Sequence, residues 1–529
     1  MFFECHKRGA ASALVLGAVL SACGGGGGSD GGSSSPPPPV NTSTPLQPSS
    51  TYAQRCAPEN TQAPSPRSGS LSIEKQWMRS YFDEAYLWNT EVPTVDASAA
   101  AYSGTNVATA LDNYFNALLT PQFTSTGARR DKFSFMMSTS DWNALAGSGQ
   151  DVGYGLDWNL SSQTAPRHIR VAYIDAGGTA QTYKISRGYE LISADGVSAD
   201  ANDSAGVDTL NSALFPATAG EYHSFVFRLP DGVSTAYIGM YSGTDTQASV
   251  FLSEVVTADD GSRVGHLIFN NHLAPAEAPL ISAIQNFKAQ GITDLVLDMR
   301  YNGGGYLYIA SELAYMIAGP TKINSRNFDS LNYNARRTAE NTNTPFYSSS
   351  CNLDSNGNCT SSQALPTLNL SRVYVLTQGD TCSASEAVIN GLLGVDVDVI
   401  QIGGTTCGKP YGFTAQDNCG YSYFPIEFQG VNAKGFGDYS DGFTPGGASI
   451  ASSGRTLHGC QVSDDFSHEL NDRAEGQLAG ALHHRATGQC PVQTLARQQS
   501  LAGNGEGASL RMQLRRSPAL TNAIAGGRH

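Results

Sequence analysis

The chain is short of positive charge, of closely spaced cysteine pairs and of long apolar runs. Lysine and arginine number 32 against 46 aspartates and glutamates, a net charge of −14. No basic patch is interleaved with aromatic residues and no glycine-rich loop is built to cradle phosphate, which excludes a nucleic-acid partner. The acidic balance also disfavours an acidic substrate. No two cysteines stand at Cys-x-x-Cys spacing, so neither a zinc site nor a redox dithiol is expected, and no cofactor is called for. The apolar run from Ala10 to Leu20 is too short to cross a bilayer as a mature helix.

What is present fits an exported globular protein. At 529 residues the chain exceeds one ordinary core, and two to four domains are expected. Lys7 and Arg8 precede the apolar run, which ends Leu20-Ser21-Ala22-Cys23 and resembles the lipobox of bacterial lipoproteins. Residues 1–23 are therefore expected to be a signal peptide, with Cys23 lipidated. Gly24 follows Cys23 where an aspartate often retains such proteins in the inner membrane. The implied location is the outer membrane, facing the periplasm or the cell surface. Residues 24–67 are rich in Gly and Ser, then Pro, then Ser and Thr, and read as a flexible tether. With Cys5 in the signal and Cys23 carrying lipid, eight cysteines remain, an even number that suggests disulfides. Cys351 and Cys359, flanking a polar loop, are the expected local pair.

Candidate chemistry centres on Gly379-Asp380-Thr381-Cys382-Ser383-Ala384-Ser385-Glu386. The β-branched run Val373–Thr377 reads as a buried strand before it, and Ala387–Leu393 as a helix after it. Ser383 is thus expected at a strand-to-helix turn, where helix N–H groups face developing negative charge. A second strand, Val397–Ile402, leads into Gly403-Gly404-Thr405-Thr406-Cys407-Gly408-Lys409. If the two strands are neighbours, Ser383 and Lys409 can meet, and a desolvated lysine can serve as a serine's base.

Ser383-Ala384-Ser385-Glu386 followed by Thr406-x-Gly408-Lys409 resembles the carboxyl-terminal processing, or tail-specific, serine peptidases of family S41. The resemblance makes Ser383 the nucleophile and Lys409 the general base, with a small loop insertion between them. A glutamine commonly follows that lysine by four residues and orients it; here Phe413 holds the position, and Gln416 is the nearest glutamine. Asp298-x-Arg300-x-Asn302-Gly303-Gly304-Gly305 is a second signature of the family. By resemblance, the amide of Gly303 or Gly304, with that of Ala384, forms the oxyanion hole. Asp298 and Arg300 are expected to brace the turn.

The same resemblance organises the rest. Residues 68–150, with Ile73, Trp77, Tyr81 and Ala85 on one helix face, are similar to the N-terminal helical region of lipoprotein members. Residues 151–256 resemble a PDZ domain through Arg187-Gly188-Tyr189-Glu190-Leu191 and its neighbours, with Gly153-Tyr154-Gly155-Leu156 as the loop that would capture a peptide's terminal carboxylate. Residues 257–491 alternate strand and helix and are expected to form an α/β catalytic domain with parallel strands and crossover helices. Within them, Ile323 to Leu365 reads as a polar insertion, a lid or rim. Residues 492–529 read as a disordered tail. The implied function is an exported serine endopeptidase whose partner is a polypeptide, its C-terminus included. The alternative is a peptide-binding lipoprotein on the same fold with little turnover. A Ser–His hydrolase would need His266, His272, His458 or His468 beside Ser383, and none of these lies in a motif.

Overall fold

The protein is described by a computed structural model covering residues 46–491, apart from 163, 351, 354–358, 447–453 and 455. The lipobox, Cys23, the glycine-rich start of the expected tether and the tail after 491 fall outside the described residues, as does the side-chain pairing of Cys351 with Cys359. Among the described residues, no helix is long and apolar enough to cross a membrane.

The fold is mixed α/β. Its centre is a six-stranded sheet ordered Val250–Thr257, Arg263–Phe269, Asp294–Asp298, Arg372–Thr377, Asp398–Gly403 and Gly459–Gln461. The first pair is antiparallel and the remaining neighbours are parallel. Both faces are covered, which is why the strands read as near-continuous apolar runs. Leu295 and Leu297 point to the helices Glu277–Gln290, Leu307–Ile323 and Ala384–Gly394. Val296 points the other way, to Leu478 and Ala481 of helix Gly476–Thr487. Helix Leu307–Ile323 is broken at Gly319, whose φ of 73° precedes Pro320.

A second, antiparallel sheet contains Leu156–Leu160, Ile169–Ile174, Glu190–Ala194, Tyr222–Arg228 and Thr235–Tyr241 in that spatial order. Helix Ser204–Leu214 closes its core. Tyr154 is part of that core, its hydroxyl donating to the Ala213 carbonyl at 2.8 Å. Arg187 ties this unit to the central sheet. Its buried guanidinium donates to the Ala172 carbonyl (2.6 Å), the Tyr301 hydroxyl (2.8 Å), the His468 carbonyl (2.9 Å) and Asp464 Oδ1 (2.6 Å).

Two expectations are corrected. The tether is held down from its later part onward. Cys56 is disulfide-bonded to Cys419. The Ala57 amide and the Asn60 side chain donate to the Glu74 carboxylate at 2.6 and 3.0 Å. Composition signals a tether because these residues bring little apolar surface of their own; it is the bridge and the buried Glu74 that fix them. The second correction is the polar insertion. Its strands Asn327–Tyr333 and Thr342–Pro345 join Phe428–Val431 and Tyr411–Gly412 in a four-stranded sheet. Phe328 is buried against the main core, and Leu331 and Tyr333 beside Phe428 on the opposite face; the buried Asp329 and the Asn and Ser between them break the apolar pattern in sequence.

The turn after strand Asp294–Asp298 is held by Arg300, which is buried. It makes paired bonds to Asp298 (Nε–Oδ1 3.0 Å, Nη2–Oδ2 2.6 Å) and reaches Asp464 (3.0 Å) and Glu475 (2.7 Å). Arg300→Ala would leave the Asp298 and Glu475 carboxylates buried without their cation. A loss of about 3–5 kcal/mol in unfolding free energy is expected in urea titration; a loss under ~1 kcal/mol would show that the cluster does not hold the turn.

Candidate active site

Three neighbouring strands deliver their carboxyl ends to one place. Asp294–Asp298 runs into the Gly303-Gly304-Gly305 turn, Arg372–Thr377 into Ser383, and Asp398–Gly403 into Lys409. This is where ligands meet open parallel sheets.

Ser383 caps helix Ala384–Gly394 with φ 56° and ψ −113°, a conformation that L residues adopt only under constraint. Its burial is intermediate. Ser385 differs: it is fully buried and its hydroxyl donates to the Asn302 carbonyl at 2.8 Å. Gly304 fits closely under Ser383. With φ 103°, any Cβ there would stand 2.9 Å from the Ala384 nitrogen and from Ser383 Cβ, and 2.8 Å from the Cys382 carbonyl. The Gly304 amide donates to Asn302 Oδ1 at 3.0 Å. Of the two glycine amides weighed for an oxyanion hole, that of Gly304 is thus already engaged within the turn.

Glu386 joins the two loops. Oε2 accepts the Ser383 amide at 3.0 Å and the Lys409 amide at 2.8 Å; Oε1 accepts the Gly408 amide at 2.8 Å and the Thr406 hydroxyl at 2.5 Å. Burial raises the pKa of this carboxyl, and its donors oppose the rise. A disulfide between Cys382 and Cys407, with α-carbons 5.2 Å apart, closes the same gap covalently.

Lys409 is 1% exposed. Its Nζ lies 4.1 Å from the centre of the Phe413 ring and 5.4 Å from that of Phe133. Burial lowers its pKa to about 7, opposed by the Asp131 and Glu386 carboxylates. Lys132, its pKa also lowered by burial, donates to the Cys407 carbonyl at 3.0 Å.

The histidines are engaged elsewhere. His266 faces Glu254, His458 faces Asp398 and His468 faces Asp465. His272 bonds Asn302 Oδ1 at 3.0 Å, and burial lowers its pKa to about 3, keeping it neutral. Gly153-Tyr154-Gly155-Leu156 leads into strand Leu156–Leu160 of the second sheet, whose Asn159 side chain bonds Asp380 in the turn before Ser383. The Gly155 carbonyl accepts from the Asp175 amide, and that of Tyr154 from the Ala180 amide. The sequence reading did not assign Glu386, Phe133, Asp131 or the Cys382–Cys407 bridge to the site. Two of these left a signal: Glu386 closes the motif that begins at Ser383, and of the bridge's cysteines one precedes Ser383 and the other stands two residues before Lys409.

Residues 263–416, which include the glycine turn, Ser383 and Lys409, match the model of peptidase family S41, and residues 74–135 match the S41 N-terminal domain. The chain belongs to peptidase family S41. Membership implies a serine-type peptidase. A protein from Bacteroides fragilis NCTC 9343 described as an S41 protease shares the fold, with a TM-score of 0.54 and 22% identity over 78% of this chain and 97% of its own. A photosystem II D1 C-terminal processing protease aligns with a TM-score of 0.42 and 17% identity over 71% of this chain and 92% of its own. No curated protein matches the sequence.

If the bridge aligns the two loops of this S41 peptidase, removing it loosens the site more than the fold. Cys382→Ser/Cys407→Ser is expected to lower kcat about tenfold or more, since small misplacements of reacting groups are costly. Cys460→Ser/Cys490→Ser, whose bridge lies at the far edge strand, serves as control. Equal losses in both pairs, measured on a peptide substrate, would show that the first bridge has no particular bearing on the site.

Proposed function

We propose that this S41 peptidase is an exported serine endopeptidase acting on polypeptides through Ser383 and Lys409. The observation that carries the reading is the single Glu386 carboxylate oxygen that takes the amides of both residues, beside a lysine whose pKa burial brings to about 7. At neutral pH a large fraction of Lys409 is then the free amine. That amine takes the Ser383 proton as Oγ attacks the scissile carbonyl, and the Gly303 and Ala384 amides receive the oxyanion. Lys409 returns the proton to the departing amine, leaving an ester on Ser383. It next takes a proton from water, whose oxygen attacks the ester carbonyl, and it hands that proton to Ser383 Oγ as the acid product leaves, restoring both groups.

The second sheet is read as PDZ-like. Strand Leu156–Leu160 lies at its edge, following Gly153-Tyr154-Gly155-Leu156, and an extended peptide C-terminus can add there by strand pairing. Export and an outer-membrane anchor at Cys23 rest on Leu20-Ser21-Ala22-Cys23. Three disulfides among the described residues suit an oxidising compartment.

Ser383→Ala is expected to abolish peptide cleavage, whereas Ser385→Ala, which removes one buried hydrogen bond worth about 1 kcal/mol, keeps a clear remainder. Loss confined to Ser385→Ala would move the nucleophile. Cleavage undetectable in the folded wild type would favour peptide binding without turnover.

A separate expectation concerns pH. Lys409 is active only when deprotonated, so kcat/KM should rise with pH through one limb near 7 and then level. Lys409→Arg should be inactive across the range, because guanidinium keeps its proton. Substantial activity in folded Lys409→Arg would rule the lysine out as base.

A further inference from the structure

We propose that Phe413, with Phe133 on a second side, is the positioning residue for Lys409, its ring face holding the side-chain nitrogen where Ser383 can give up a proton. The inference rests on the reading of Lys409 as the base. A cation within about 6 Å of an aromatic centroid is attracted by the ring's negative face. Both rings meet that condition, Phe413 at 4.1 Å and Phe133 at 5.4 Å.

The ring of Phe413 is itself fixed. Phe135 and Phe424 pack against it edge-on at 5.5 and 5.3 Å. Those two stack on each other at 4.3 Å, as directly opposed partners of an antiparallel strand pair. Trp142 closes the cluster on Phe424 at 4.8 Å. Phe133 is fixed through its backbone, its amide donating to Asp131 Oδ1 at 3.0 Å.

The charged groups around Lys409 are committed to other partners. Glu386, from the helix behind, accepts the four donors already described. Asp131, from the segment before Phe133, accepts the Tyr86 hydroxyl (2.7 Å), the Ser134 hydroxyl (2.6 Å) and two amides. Lys132 turns to the Cys407 carbonyl. These carboxylates act on Lys409 by charge, and the ring faces give its nitrogen a place. A ring face also stabilises ammonium over amine, so it opposes part of the effect of burial.

That second effect separates positioning from packing. In Phe413→Leu the nitrogen loses the face while the pocket stays apolar and the three charged neighbours stay in place. The limb of kcat/KM should move to lower pH by about 0.5–1.5 units, with kcat down about tenfold or more and KM little changed. Phe413→Tyr keeps the face and should keep the limb near its wild-type position. Phe133→Leu, on the more distant ring, should move the limb the same way by less, and it carries the test if Phe413→Leu does not fold. Limbs unmoved in both leucine variants would overturn the proposal. Lys409→Arg is assayed alongside: with that variant inactive, unmoved limbs refute the role of the rings alone, whereas an active Lys409→Arg refutes the base itself.

Discussion

The buried carboxylate of Glu386 is the contact on which the site's geometry depends. Taking an ionised carboxyl out of water is costly, and it is tolerated only where donors surround it. Here the donors are backbone amides from two loops that leave adjacent parallel strands, Ser383 from one and Gly408 and Lys409 from the other. Satisfying the carboxylate therefore fixes the distance between the loops. The Cys382–Cys407 bridge repeats the constraint covalently one residue before the serine and two before the lysine.

The other parts of the chain converge on the same place. The Arg300 cluster holds the glycine turn from below, and through Asp464 it shares an anion with Arg187 of the second sheet. From the N-terminal side, Asp131, Lys132 and Phe133 enter the surroundings of Lys409. Strand Phe135–Ser138 then pairs with Tyr421–Phe424 beyond the lysine loop. The helices before that strand share a core with Cys382 and Tyr423. The N-terminal helices are thus part of the wall around the lysine rather than a separate attachment, which accounts for a buried lysine on what the sequence presents as a loop.

Much of this was legible because local signals and tertiary structure agreed. The apolar runs at 294–298, 373–377 and 397–402 are strands because both faces of their sheet are covered, and the serine turn follows from the strand-to-helix change around it. The failures have a common cause, long-range partners. Glu386 reads as an ordinary first-turn acid, and nothing near it announces amides more than 20 residues away. The polar look of Asn327–Tyr333 hides a strand whose inward residues meet Phe428 and its neighbours. Phe133 gave no signal, since an aromatic residue is core by default, and its partner lies at Lys409. Phe413 was visible as a departure from the family pattern, but only the fold shows an aromatic face in contact with the lysine nitrogen.

The central claim is that Ser383, activated by Lys409, is the group that attacks. The most direct measurement is to treat the oxidised, folded protein with a fluorophosphonate probe, digest it and locate the adduct by mass spectrometry. Modification at Ser383, absent from Lys409→Ala, is the expected result. An adduct on another residue, or labelling of Ser383 that persists at the wild-type rate in Lys409→Ala, would contradict it.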